Sequence, residues 1–349
     1  MMNINKTLVK YYEINNPIED FIINEKILEF LRESKTPKKY KLSQQIIKNI
    51  VKQHGKDQLD LHITELYEVE KATMSLTGKR DHVIHALNTF LLGLYINNNY
   101  LGKKVDSFQW KLAALFHDIA YPLEISQRII ERYFRKLSAI KNELHIENFN
   151  PIIYLIPKDF EKLTTNKNAF EYIQIRIYEW ELDVTVQKRY NDMISSNKIC
   201  HGILSALTVL YFVDLLYQKN NPQRKRQPLN IEGSNWNQKN FEHDVVSACS
   251  AIFIHNLPDN AFEKIDRNKA PLPYLLKLCD ELQNWDRPDQ NTLTGDSPEN
   301  YDISIQKNKI IFKVKSKKNR EKISKKIKCL NDSNISVENI TYFKNSTSE

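Results

Sequence analysis

The stretch WKLAALFHDIAYP, residues 110–122, decides the fold. Its apolar residues recur at helical spacing until His117 and Asp118, two adjacent polar groups that close the run before Pro122. Proline lacks a backbone N–H and clashes with the preceding turn, so we expect Pro122 to limit a helix over residues 108–120. An imidazole beside a carboxylate at the end of an apolar helix is either a solvated helix end or a pair with a shared chemical role.

Helical periodicity continues on both sides of this stretch. Residues 144–200 are less clear, because they mix candidate strands with a helix, and the polar residues 220–240 with two prolines indicate a long loop. The pattern therefore predicts a mainly α fold, a helical bundle. The further predicted helices cover residues 18–34, one or two segments between 42 and 74, and residues 81–96, 123–143, 202–218, 241–256 and 273–285.

The pattern changes near the C-terminus. Residues 303–315 alternate apolar and polar side chains like a strand or hairpin, residues 319–332 are helical in pattern, and residues 335–343 are strand-like. We therefore expect a small α/β appendage over residues 301–349, which can pack as a unit of its own. It would follow an N-terminal helical segment, residues 1–75, and a main domain, residues 76–290.

The net charge of +8 belongs to one segment. Residues 306–328 hold eleven Lys or Arg and a single acid, Glu321, a local charge of +10, which leaves −2 for the rest of the chain. This segment could bind nucleic acid. A solvated basic surface is the favoured interpretation, because Phe312 is the single aromatic residue among the lysines and base stacking would need more of them.

The sequence indicates a cytoplasmic protein without a membrane partner. The N-terminal residues lack the apolar core of a signal peptide. The longest apolar stretch, residues 203–217, is 15 residues long and contains Asp214, so it is too short and too polar to span a bilayer. The four cysteines form no CxxC pair, and we expect Cys249 and Cys279 to be buried free thiols.

Further polar residues interrupt the apolar helices. Each alone has an ordinary structural explanation, such as a hydrogen-bonded buried histidine, but together they match the donors of a metal site. Imidazole and carboxylate ligands suit Mn, Fe, Co, Ni or Zn, and the absence of thiolates argues against a closed structural zinc site. These residues are His82 and His85 on one helical face, His201, His255 and Asp280.

The order of these residues resembles the HD superfamily of metal-dependent phosphohydrolases, all-helical enzymes that hydrolyse phosphate esters, often of nucleotides. The motifs that carry the resemblance run from about residue 80 to residue 287. They are RDHVIHALNTFLLGLYI, LAALFHDIAYP, CHGILSALTVLYF, SACSAIFIHN and LPYLLKLCDELQNWDRP. The dipeptide HD is common, whereas the ordered series within apolar helices is specific.

The resemblance implies a set of site residues. His85 would be the first ligand, with His82 as the competitor, and Asp118 would bridge two metals. His117 and Asp118 would be catalytic, and Arg80 would either bind substrate phosphate or be a solvated cation. The implied metal ligands are His85, His117, Asp118, His201, His255 and Asp280, holding one or two divalent ions (Mn, Fe, Co, Ni, Zn or Mg).

Other acidic and histidine residues are weaker candidates. Glu124, just beyond the proline, is an uncertain match for the water-handling acid of several nucleotide-hydrolysing members. A second pair, His243–Asp244, begins a helix rather than ending one, and we interpret it as a helix start. We expect His54, His62 and His145 to be surface residues.

The expected function is hydrolysis of a phosphomonoester or phosphodiester, of a nucleotide or a cyclic or linear oligonucleotide, by a metal-activated water. Two alternatives stay open. One is a catalytically silent HD fold that senses nucleotides as a regulatory module, and the other is an RNA- or DNA-binding protein led by the basic C-terminal segment. The complete ligand set favours the enzyme.

Overall fold

A computed structural model gives the architecture of the protein. It describes residues 4–52, 82–140, 160–163, 167–219, 230–231, 234–235, 239, 241–258, 261–262, 264–283, 285, 301–306, 309–314 and 316–339. The described part is mainly helical with a small α/β unit near the C-terminus, as predicted. None of its helices has the length and apolar character needed to cross a membrane.

Three N-terminal helices pack on one another and on the bundle: α1 (Ile4–Ile14), α2 (Phe21–Arg32) and α3 (Thr36–Lys52). Asp20 caps α2 by accepting a hydrogen bond from the Ile23 backbone N–H at 2.9 Å. The helix buries Ile27 and Leu31, while Phe21 is 72% exposed, so the apolar face is narrower than the sequence of α2 suggests. The predicted helices beyond Lys52 lie outside the described residues.

Eight described helices form the bundle around the predicted site. In chain order they are α4 (His82–Asn99), α5 (Ser107–Phe116), α6 (Tyr121–Ile140), α7 (Ala169–Glu179), α8 (Val186–Ser195), α9 (His201–Lys219), α10 (Val246–His255) and α11 (Pro271–Leu282). Helices α4, α5, α9 and α10 are apolar and mostly buried, and they need no strong amphipathic pattern, because neighbours cover them on nearly every side. A π-helical turn, Phe241–Val245, leads into α10.

The structure corrects one predicted helix boundary and the candidate strands among residues 144–200. The helix predicted over residues 108–120 ends at Phe116, and Pro122 lies in the first turn of α6 instead of limiting the helix before it. Proline fits there because the first-turn N–H groups have no intrahelical acceptor. Within residues 144–200, the described part forms helices α7 and α8 and contains no strand.

The C-terminal unit, residues 301–339, combines a sheet with one helix. Strands β4 (Tyr301–Gln306) and β5 (Lys309–Val314) form an antiparallel hairpin, and β7 (Ile335–Asn339) pairs with β5 in parallel. Helix α12 (Lys317–Lys326) connects them and carries five of the ten lysines of residues 306–328, of which Lys317, Lys318 and Lys325 are exposed. The hairpin, the helix and the last strand follow the predicted order.

The C-terminal unit also joins the bundle through a short strand pair. Strand β3 (Ile265–Asp266), just before α11, pairs in parallel with β6 (Leu330–Asn331). A further hairpin of two-residue strands, β1 (Asn230–Ile231) and β2 (Ser234–Asn235), lies within the segment predicted as a loop. The four cysteines are free thiols, and Cys249 and Cys279 are buried as predicted.

Candidate metal centre

The turn between α5 and α6 presents His117 and Asp118 to the bundle interior. His117 caps α5, and its Nδ1 donates to the backbone oxygen of Ala114 at 2.9 Å. The last carbonyls of a helix lack an intrahelical partner, so a histidine at this position satisfies one of them and is fixed by it. The turn is held from α9, where the Ser205 hydroxyl accepts a hydrogen bond from the Ala120 N–H at 3.0 Å.

Close packing of α4 on α5 places His85 beside His117. Trp110 is fully buried against Gly93, where an added Cβ would lie only 1.8 Å from the indole ring. The indole N–H donates to the backbone oxygen of Phe90 at 3.0 Å. The absence of a side chain at Gly93 is therefore what lets these two helices cross at the distance that brings the histidines together.

The first ligand group comprises His85, His117, Asp118 and Asp280. Its nearest pairs are His85 Nε2 to Asp280 Oδ1 at 2.9 Å and His85 Nε2 to His117 Nε2 at 3.1 Å. Asp118 Oδ2 lies 3.4 Å from His117 Nε2 and 3.6 Å from His85 Nε2. The four side chains come from α4, the end of α5 and α11, and each offers a donor atom within 4.8 Å of the others.

The second ligand group uses the other oxygen of the same carboxylate. Asp118 Oδ1 lies 3.1 Å from His201 Nε2 and 3.5 Å from His255 Nε2. His201 is the first residue of α9, and His255 is the last residue of α10. The two groups therefore meet at Asp118, which faces each of them with a different oxygen.

Each of the four histidines is oriented through its Nδ1 atom. His255 Nδ1 donates to the backbone oxygen of Ile252 at 2.5 Å, the same arrangement that His117 makes at the end of α5. His201 Nδ1 lies 2.5 Å from Glu124 Oε2, and His85 Nδ1 contacts the side-chain oxygen of Gln283. Carbonyl and carboxylate oxygens accept only, so each Nδ1 carries the hydrogen and, in the neutral ring, each Nε2 presents a lone pair to the site.

This donor set fits a divalent metal. Histidine ligands of metals typically donate their other ring N–H to a carbonyl or carboxylate, as all four do here. Two ligand atoms on one ion, each about 2.1 Å from it, stand roughly 3.0–3.4 Å apart, close to the separations of 2.9–3.6 Å within the two groups. His255 Nε2 is buried and has no hydrogen-bond partner among the described residues, and a metal would supply one.

The electrostatics of the site favour ionised carboxylates and raise the pKa of two of the histidines, His117 and His201. Burial opposes ionisation of Asp118, but His117 and His201 outweigh it and hold the pKa of Asp118 well below its usual range. Burial also opposes protonation of His201, yet Asp118 and Glu124 raise its pKa to about 10. Burial lowers the pKa of His255. The carboxylates are therefore ionised, and a cation that binds them would displace the proton of His201.

The structure brings the six predicted metal ligands together in these two groups. His82, the competitor for the first position, lies farther from Asp118 than His85 does, at 3.9 Å against 3.6 Å, and its ring packs on Tyr121 with centroids 3.8 Å apart. Arg80 lies outside the described residues, as do His54, His62 and His145.

The second HD pair lies apart from both ligand groups. His243 and Asp244 sit in the π-helical turn before α10, and the His243 side chain is 63% exposed. Its Nδ1 faces Asp244 Oδ1 at 2.7 Å. The interpretation of this pair as a helix start agrees with its position.

Two orienting residues were not identified from the sequence. Gln283 follows α11, one turn after Asp280, and is 2% exposed. Glu124, considered as a water-handling acid, instead contacts His201 and forms an ion pair with Arg128. The only sequence signal for either was position: Gln283 lies three residues after Asp280, and Glu124 lies six residues after Asp118.

Comparison with known proteins adds no further assignment: the chain matches no protein-family model, no curated protein and no solved structure.

Proposed function

We propose that the chain is a metal-dependent phosphohydrolase of the HD type, which cleaves a phosphomonoester or phosphodiester bond. The observation that carries the proposal is the convergence of four Nε2 atoms on the two oxygens of Asp118. In neutral rings these atoms present lone pairs, which repel the carboxylate unless a proton or a cation lies between them. Protons on some Nε2 atoms would relieve part of this repulsion. They do not explain why the Nδ1–H of every one of these histidines donates to another acceptor, as metal-binding histidines typically do.

The arrangement of Asp118 suits two cations rather than one. His85, His117, Asp118 and Asp280 would hold the first, and Asp118, His201 and His255 the second. Paired divalent ions supply an activated water and neutralise charge on phosphoryl oxygens. Asp118 would fix the distance between the two positions, because each of its two carboxylate oxygens faces one of them.

Solvent reaches the site beside Asp280. The Asp280 side chain is 19% exposed, whereas His85 and His117 are essentially inaccessible. A substrate phosphate would therefore approach past Asp280 and the partly exposed edge of His201. The carboxylates of an unloaded site repel an anion, so substrate binding would depend on the cations being present.

A nucleotide or a cyclic or linear oligonucleotide is the substrate class that the HD resemblance supports. Phosphate binding by Arg80 stays a prediction, because that residue lies outside the described part of the chain. Among the described residues we identify no base-binding arrangement, so the base is left open. A silent sensing module is disfavoured, because a fold that binds without chemistry has no need of six converging ligands.

Nucleic-acid binding through the basic segment remains the second candidate. Its support is the exposure of Lys317, Lys318 and Lys325 on α12, a surface that could release counterions from a phosphate backbone. Steep salt dependence of RNA or DNA binding, lost when these three lysines are replaced by glutamine, would favour it.

Metal analysis followed by a substrate screen tests the enzyme proposal. Purified full-length chain is stripped with chelator, reloaded with Mn, Co, Ni or Mg, and assayed with nucleotides, cyclic dinucleotides and a chromogenic phosphodiester. We expect about two metals per chain and phosphate-ester hydrolysis that requires them. A chain that takes up no metal, or that stays inactive on every ester with the site fully loaded, would contradict the proposal.

A further inference from the structure

Helix α11 carries Asp280 near its C-terminal end, and the helix end itself is completed by residues from the C-terminal unit. The Tyr301 hydroxyl donates to the backbone oxygen of Leu282 at 2.6 Å, and Lys326 Nζ donates to the backbone oxygen of Glu281 at 2.7 Å. These carbonyls belong to the last turn of α11, where no intrahelical N–H can reach them. Tyr301 is 2% exposed, so its hydroxyl replaces water at a buried helix end.

The two capped carbonyls lie directly beside residues of the first ligand group. Asp280 immediately precedes Glu281, and Gln283, which orients His85, immediately follows Leu282. The Gln283 N–H continues the turn by donating to the Cys279 oxygen at 3.0 Å. Movement of this last turn would therefore shift the ligand Asp280 together with Gln283, which orients the ligand His85.

The C-terminal unit also contacts the opposite end of α11. The Asp332 carboxylate accepts hydrogen bonds from Tyr274 in the first turns of α11, at 2.7 Å, and from Tyr100 at 2.5 Å. Arg267 lies 3.5 Å from the same Asp332 oxygen. Together with the β3–β6 pairing just before the helix, these bonds attach both ends of α11 to the C-terminal unit.

We propose that the C-terminal unit is part of the metal centre: Tyr301 and Lys326 fix the last turn of α11 and thereby position Asp280 and Gln283 for the first ligand group. The inference rests on the proposed function, because it assigns positioning residues to that same site. Through Lys326, the basic helix α12 contacts the helix that carries Asp280. A chain that ended near Asp302 would lack Lys326 and Asp332 and therefore their contacts with α11.

Two substitutions with matched controls test this role in the full-length chain. Tyr301→Phe removes only the hydroxyl, and its control, Tyr12→Phe, removes another buried hydroxyl that donates to a backbone oxygen, that of Leu91. Lys326→Met removes the ammonium and keeps the stem, and Lys325→Met removes the same charge from the neighbouring exposed position. The controls match the loss of a buried hydrogen bond and the loss of one positive charge.

The measurement is Co(II) titration followed by the visible absorption of the bound ion, with thermal unfolding in parallel. We expect Tyr301→Phe and Lys326→Met to weaken one of the Co(II) sites roughly 10-fold, the lower end of effects seen when ligand orientation is disturbed, and to change the Co(II) spectrum. We expect Tyr12→Phe to lower the melting temperature similarly to Tyr301→Phe without changing Co(II) affinity or spectrum.

The failures of the two proposals are distinguishable. Co(II) binding to the wild type, with affinity and spectrum in Tyr301→Phe and Lys326→Met equal to those of their controls, would overturn this inference and leave the proposed function standing. A wild-type chain that binds no Co(II) would overturn both.

Discussion

The two ligand groups share Asp118 but are supported in different ways. In the first, His85 and Asp280 are 195 residues apart in sequence, and the group depends on Gln283 and on a helix end completed by the C-terminal unit. In the second, His201 is oriented by Glu124 from the first turn of α6, and His255 by its own helix. The first group thus depends on contacts with the C-terminal unit, and the second on a buried carboxylate and a local helix end, so substitutions should separate them.

Loss of the shared carboxylate should have the largest effect. Asp118→Ala removes a ligand from both groups, and we expect metal content to fall from about two per chain to less than one. Loss of several kcal/mol of transition-state stabilisation would lower the hydrolysis rate by roughly 1000-fold or more. Metal content by mass spectrometry, the rate with a chromogenic phosphodiester and far-UV circular dichroism check this.

Asp244→Ala is the matched control for this substitution, because it removes the aspartate of an HD pair that lies outside both ligand groups. Full metal content and full turnover in a folded Asp118→Ala chain would contradict the assignment of the site. Equal losses in the two variants would contradict it as well.

Removal of one histidine from each group should show two separable metals. We expect His85→Ala and His201→Ala each to retain about one metal per chain, and His201→Ala to lose most of its turnover, since paired ions contribute several kcal/mol of stabilisation together. Metal titration of the stripped chains provides the count. His243→Ala serves as the control, and an unchanged count in His201→Ala would return His201 and His255 to an ordinary structural role.

The metal ligands of both groups could be predicted from the sequence, because they lie at helix ends and within apolar runs. His117 and His255 close buried helices, and a polar group there needs a partner, which made the pattern visible without any geometry. The helical class followed from periodicity, and the C-terminal α/β unit followed from the change to alternating apolar residues.

The supporting contacts could not be predicted, because they depend on which chain segments meet. Gln283 and Tyr301 have no distinguishing pattern, and their roles arise only when α11 packs on α4 and the C-terminal unit packs on α11. Pro122 was placed at the wrong end of a helix, since proline is equally consistent with ending one helix and beginning the next. The orienting roles of Gln283 and Glu124 likewise depend on contacts between residues far apart in sequence.

Glu124 provides a test confined to the second group. Glu124→Gln keeps an oxygen that can accept from His201 but removes the charge, so we expect metal affinity at the second group to fall roughly 10- to 100-fold. The first group should be unaffected. Glu131→Gln, on the same helix, is the charge-matched control.

The pH dependence of the same variant follows from the raised pKa of His201, about 10. Without metal, His201 stays protonated at neutral pH, and its stabilising contribution is present below its unfolded value of about 6.5 and lost as the pH rises through about 10. Metal binding must release this proton, so affinity should rise with pH up to that value. Glu124→Gln removes one of the charges that raise the pKa, so calorimetry at a pH just below about 10, in buffers of different ionisation enthalpy, should detect less proton release. Equal proton release in the variant and the wild type would contradict this coupling.

The smallest expected effect separates packing from coordination in the second group. An added Cβ at Gly202 would lie 3.0 Å from His255 Cε1 and 3.1 Å from its Nδ1, so the imidazole must shift by a few tenths of an ångström in Gly202→Ala. Because alanine is a better helix former than glycine by up to about 1 kcal/mol, we expect no loss of thermal stability, but a reduction of second-group metal affinity by less than about tenfold. Gly93→Ala is the contrasting case, since its Cβ would overlap Trp110 at 1.8 Å and should prevent correct packing of α4 on α5. If Gly202→Ala lost stability without any change in metal affinity, the close contact with His255 would be a feature of helix packing and not of the metal centre.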